Sequence, residues 1–178
     1  MVMVEKLRRL ASQYVGEIVY GANDGIITTF AVVTAAAGGK LSAGVIVILG
    51  VANLLADGFS MGASSFLSDR AESSRDSGRT EIAGPLKRGA ATFFAFVVAG
   101  ALPLLPYVFS SQIALSHQLA FSVSATLAAL ALVGVGRAYL AKERVWLAVM
   151  EMVGIGGLAA VISYTVGWAL REVVGVVV

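Results

Sequence analysis

The run Ile18-Val-Tyr-Gly-Ala-Asn-Asp24-Gly-Ile-Ile-Thr-Thr-Phe-Ala-Val-Val-Thr-Ala-Ala-Ala37 is long and apolar enough to cross a bilayer, yet it carries Asp24, followed at once by Gly25. A spanning helix needs about 20 predominantly apolar residues. A carboxylate at membrane depth is costly and is by default a functional-site hypothesis. The next apolar stretch repeats the pattern, with Asp57 followed by Gly58 and Met61 one helical turn further on. Two carboxylates and a thioether are the oxygen and soft-sulfur donors that a partly dehydrated divalent metal ion can use.

Composition generalises this reading to the whole chain. Its 178 residues are 58% hydrophobic and 13% charged, with a mean hydropathy of +0.86, whereas soluble domains are about 25% charged. The fold class is therefore an all-α membrane protein, read as one transmembrane domain over residues 1–178. Five transmembrane helices are expected, over residues 18–37, 43–67, 90–108, 114–138 and 145–170. An amphipathic N-terminal helix over about residues 3–16 precedes them, with Met3, Val4, Leu7, Leu10, Ala11 and Tyr14 on one face and Lys6, Arg8, Arg9 and Gln13 on the other. Such a helix suits the bilayer surface or a cytosolic face of the protein itself. Gly38-Gly39-Lys40 marks the first turn, residues 68–88 read as a polar cytoplasmic loop, and Pro103 and Pro106 are placed to kink or end the third span. With no cysteine, disulfides and thiolate metal sites are excluded, and a net charge of +2 gives no case for nucleic-acid binding.

Charge orients the bundle. Starting in the cytoplasm, five spans place eleven of the thirteen Lys and Arg residues on that side and leave only Lys40 and Arg171 on the other. The positive-inside rule thus predicts a cytoplasmic N-terminus and a C-terminus outside. An even number of spans would move Arg137, Lys142 and Arg144 across. Counted from Ile18 at roughly 1.5 Å per residue, Asp24 lies roughly 9 Å deep. Counted back from Leu67, Met61 lies at roughly 9 Å and Asp57 at roughly 15 Å. Asn53, Asp57 and Met61, four apart, share one stripe, while Asn23 and Thr28 could add oxygens beside Asp24.

Carboxylates suit Mg²⁺, Mn²⁺ and Fe²⁺, whereas a thioether favours softer ions, so the mixed set leans toward Fe²⁺ and its neighbours. Burial disfavours the charged form of a carboxylate, so proton uptake on metal departure would couple the two. The plainer reading is that each aspartate caps a helix break or bonds a neighbouring helix, and that Met61 fills a gap in the packing. Glu17, at the mouth of the first span, and Glu151, flanked by Met150 and Met152, are lesser candidates. Glu151 also lies within reach of Arg137 or Arg144. His117, in the far-side loop over residues 110–118, reads as solvated. Gly21 with Gly25 and Gly58 with Gly62 allow close helix approach.

The runs Tyr20-Gly-Ala-Asn-Asp24-Gly-Ile-Ile-Thr-Thr-Phe30 and Asn53-Leu-Leu-Ala-Asp57-Gly-Phe-Ser-Met61-Gly62 resemble the first two transmembrane helices of the vacuolar iron transporter family. Pro103-Leu-Leu-Pro106-Tyr107 and the stretch from Gly157 to Gly167 extend the likeness more weakly. The resemblance implies a five-helix homodimer that carries Fe²⁺, often also Mn²⁺, out of the cytosol in exchange for protons through a path at the dimer interface. It also implies pathway roles for Asp24 and Met61. Where several family members carry a long cytoplasmic metal-collecting domain, residues 68–88 are short. They hold Asp69, Glu72, Asp76 and Glu81 interleaved with Arg70, Arg75 and Arg79, which suits a solvated, ion-paired segment.

Two function classes follow. One is a proton-coupled exporter of Fe²⁺ or Mn²⁺ in which Asp24, Asp57 and Met61 line the path, with Asn23, Asn53, Glu17 and Glu151 as further candidates. Its partners are the metal ion, protons, the lipid bilayer and a second copy of the chain. The other is a membrane scaffold whose buried aspartates lock helices together. An enzyme is not expected, since no nucleophile and base share a depth, and no resident cofactor is expected because the metal would be substrate. The compact chain favours a prokaryotic plasma membrane.

Overall fold

A computed structural model describes residues 14–77, 82–109 and 115–175. The first long helix, α1 (Val15–Gly38), is followed by α2 (Ala43–Ser77) and α3 (Ala83–Gly100). A 3₁₀ turn (Leu102–Leu104) and the short α4 (Leu105–Val108) continue the line of α3, and α5 (Leu115–Ala141) and α6 (Val145–Val174) complete the chain. Among the described residues there is no strand. Five stretches are long and apolar enough to span a membrane, with α3, the 3₁₀ turn and α4 together forming the third. The chain is an integral, multi-pass, all-α membrane protein.

α1 is the central helix. It packs most extensively on α3 and then α6, and it touches α5 and α2 as well. Its apolar side chains feed two cores. Val33 and Ala36 join Ile46, Leu54, Phe96, Leu104 and Tyr107 between α1, α2 and the third span. Ile26 joins Ala129, Leu130 and Met152 between α1, α5 and α6. Helix polarity inside this apolar setting is concealed locally: the Thr28 hydroxyl donates to the Asp24 carbonyl at 2.8 Å and Thr34 to that of Phe30 at 2.9 Å. Such back-bonding satisfies a hydroxyl that would otherwise meet hydrocarbon.

Glycine sets the closest approaches. A methyl group at Gly25 would overlap the Phe96 backbone of α3, and one at Gly62 would lie 2.8 Å from the Gly89 carbonyl oxygen. The paired glycines of α1 and α2 thus seat both helices on α3 within one chain, the small-residue packing expected of membrane helices. Gly134 serves α5 in the same way, a methyl there lying 2.9 Å from Val149 Cα of α6.

Two boundaries differ from the sequence reading. α2 runs without a break through Ser77, so residues 68–77 are helix rather than loop, and helix resumes at Ala83, leaving residues 78–81 outside the described set. The reason is that Met61, Ser64, Ser65 and Ser68 continue the helical stripe of Asn53 and Asp57 in polar residues, which hydropathy alone reads as the end of a span. His117 lies in the first turn of α5 and is exposed, not in a loop. Residues 3–13 of the expected surface helix fall outside the described residues, while Val15 and Gly16 already belong to α1. At the third span the prolines act as anticipated. Helix α3 ends at Gly100, and the Pro103 carbonyl, in the 3₁₀ turn, accepts a 2.7 Å hydrogen bond from the buried Ser122 hydroxyl of α5.

Candidate functional site

Asp24 lies half-buried on α1 and Asp57 half-buried on α2. The two intramembrane carboxylates stand on helices that touch each other. Met61 shares a cavity of about 500 Å³ with Gly16, Glu17 and Tyr20 of α1, with Ser64, Ser65, Ser68 and Asp69 of α2, and with Thr92 of α3. It sits beside the first turns of α1, one turn nearer the helix start than Asp24. The depth count had put Asp24 level with Met61 and Asp57 a turn deeper. α1 starts at Val15 rather than Ile18, so the depth origin on that helix moves. That adds about a turn, placing Asp24 roughly 13 Å from the helix start.

Like charges brought close at this depth repel more than in water, since the effective dielectric is lower. A divalent cation between the carboxylates would relieve that repulsion. Met61 is half-buried against the Val33–Leu54–Phe96 core and reaches the cavity at the same time, so its thioether is both packing and lining. Among the described residues no cluster of three or more His, Cys, Asp or Glu side chains gathers in one place. Two carboxylates, a thioether and waters would be a weak set, suited to an ion that must also leave.

Asn53 and Asn23 behave differently from each other. Asn53 stays on the Asp57–Met61 stripe, and its buried Nδ2 has no hydrogen-bond partner. Asn23 is turned away from Asp24. It lines a second cavity of about 440 Å³ with Val15, Val19, Tyr20, Arg137, Leu140 and Met152, and its buried Oδ1 is likewise without a partner. Adjacent helical residues point about 100° apart, so sequence neighbours need not share a path. Thr28 remains beside Asp24 in sequence, with its hydroxyl proton committed to the Asp24 carbonyl.

The two glutamates are ion-paired. Arg137 Nη1 meets Glu151 Oε2 at 3.0 Å and Arg137 Nη2 meets Glu143 Oε2 at 3.1 Å. Of the two partners considered for Glu151, Arg137 is the one it takes. Glu17 Oε1 accepts a 2.8 Å hydrogen bond from Arg88 Nη1, and Arg88 Nε reaches Asp69 Oδ2 at 3.1 Å. The sequence reading put Asp69 in an ion-paired segment but not at a cavity, and it did not single out the serines or the arginine at the rim. Their signal was the 61, 64, 65, 68 spacing, which continues a helix face past the apolar stretch.

A polytopic helical protein with carboxylates inside the membrane and a polar cavity at one end has the anatomy of a membrane transporter. The VIT family model matches residues 15–83 and 70–168, and the chain belongs to that family. Curated relatives include the vacuolar iron transporter of Toxoplasma gondii, 44% identical over 62 residues that make up 35% of this chain and 20% of that protein. The vacuolar iron transporters of Plasmodium falciparum and Plasmodium berghei are 42% and 38% identical over 31% and 35% of the chain. Those alignments take in 20% and 23% of the relatives' own lengths.

Proposed function

We propose that the chain transports divalent transition-metal ions, Fe²⁺ and by the same ligand chemistry Mn²⁺, out of the cytosol. The observation that carries this reading is the cavity in which Met61 of α2 meets Glu17 of α1 at one end of the spans that carry Asp24 and Asp57. The ion enters past Glu17 and Met61, then reaches the carboxylates. A thioether on the approach favours ions softer than Mg²⁺ or Ca²⁺. When the metal leaves outward, proton uptake along the path replaces part of its charge, which is the physical route to exchange of metal for protons. A homodimer would bring a second set of these residues to the path and supply ligands that one chain lacks. The names of the relatives, vacuolar iron transporters, support the choice of iron.

The test is metal flux into proteoliposomes across a panel of divalent ions, with and without a pH gradient. Asp24→Asn should abolish flux while the protein still elutes as a folded particle in detergent. Normal flux in that variant would sink the pathway and leave the scaffold reading, in which the aspartates are structural. Flux indifferent to the gradient would remove proton exchange and spare the metal path.

A further inference from the structure

Arg88 ties three spans together at the cavity. It stands near the start of α3, and neighbouring nitrogens of its guanidinium hold Glu17 of α1 at 2.8 Å and Asp69 of α2 at 3.1 Å. Both carboxylates line the cavity that holds Met61. The two acids are the more buried partners, at 16% and 26% exposure, whereas the arginine side chain is 44% exposed. The acids are thus held in the cavity wall, and the arginine is the exposed partner. One cation on two anions leaves the mouth with a net negative charge, which still attracts cations while its carboxylates are occupied.

We propose that Arg88 gates this mouth: as a tethered cation it occupies the two carboxylates that an incoming divalent ion meets first, and it must be displaced for the ion to pass. This rests on the transport reading above. Ion pairs this exposed are weak, so a divalent ion can compete for them. A guanidinium also fits two carboxylates at once through its planar fork, which an ammonium cannot reproduce. Sodium and potassium, with half the charge, compete less well, so the gate favours divalent ions at the first step.

Wild type, Arg88→Gln and Arg88→Lys are compared in two measurements: Mn²⁺ uptake into proteoliposomes against Mn²⁺ concentration, and Mn²⁺ binding to the same proteins in detergent by calorimetry. Displacement requires Arg88→Gln to lower both apparent KM and Kd several-fold, with Arg88→Lys in between. Lower thermal stability with KM and Kd unchanged marks a merely structural tie and overturns the gate. If wild type moves no divalent ion, the transport reading fails, and binding still decides: tighter Mn²⁺ binding by Arg88→Gln upholds competition at the mouth, equal binding overturns it. Should Arg88→Gln not fold, a Kd for Arg88→Lys equal to wild type overturns it as well.

Discussion

Met61 does two jobs with one side chain, and they can be separated. It packs against the Val33–Leu54–Phe96 core and also lines the cavity. Met61→Leu keeps the volume, and volume-conserving swaps cost under about 1.5 kcal/mol. The fold should therefore survive, with the loss confined to the thioether. We predict that the ratio of Fe²⁺ to Mn²⁺ flux falls several-fold in competition assays, because the lost ligand is the one that favours the softer ion. An unchanged ratio would assign Met61 to packing alone. Asp24, Asp57 and Met61 were legible in the sequence because polar groups and a lone sulfur stand out in apolar runs. That Asn23 turns to another cavity was not legible, since residue spacing says which face a side chain is on but not which neighbour lies there.

At the scale of the helix, glycine and serine do the positioning. The α1–α3 contact leaves no room for a side chain at Gly25, where a methyl would overlap the Phe96 backbone, whereas nothing lies within 4 Å of a methyl at Gly154. Gly25→Ala should destabilise by about 1–3 kcal/mol, the usual cost of overpacking. Gly154→Ala should be neutral or stabilising by up to about 1 kcal/mol, from helix propensity alone. Unfolding in mixed micelles compares the two, and equal effects would contradict the packing described. The break at Pro103 depends on Ser122, whose hydroxyl satisfies the Pro103 carbonyl. Ser122→Ala should cost about 1 kcal/mol in the same assay, in line with hydrogen bonds between membrane helices. The continuation of α2 to Ser77 was hidden because a polar helix leaving the membrane has no hydropathic signature, although its spacing was present in the sequence.

For the whole molecule, charge is segregated between the two ends. Arg88 with Glu17 and Asp69, and Arg137 with Glu143 and Glu151, stand at the ends of their helices that the charge count puts in the cytoplasm. At the opposite end Lys40 acts on Glu172 beside Arg171, so the two far-side cations are neighbours. If the positive-inside rule holds, a reporter enzyme active only outside the cytoplasm will work when fused after Val178 and fail when inserted beside Glu143. The reverse pattern would invert the bundle and turn the cavity outward. The proposed dimer predicts a particle mass of two protomers in lipid nanodiscs, and a monomer that transports metal would remove the shared path.

The sequence by itself determined that this is a five-span membrane protein and marked the residues too polar for their surroundings, because hydrocarbon tolerates so few alternatives. Tertiary structure alone decided that Met61 lines a cavity with Glu17 and Asp69, that Asn23 lines another with Arg137, and that Arg88 closes on Glu17 and Asp69. Those relations join residues far apart in the chain. They depend on how closely the helices approach one another, which only the packed backbones at their glycines set.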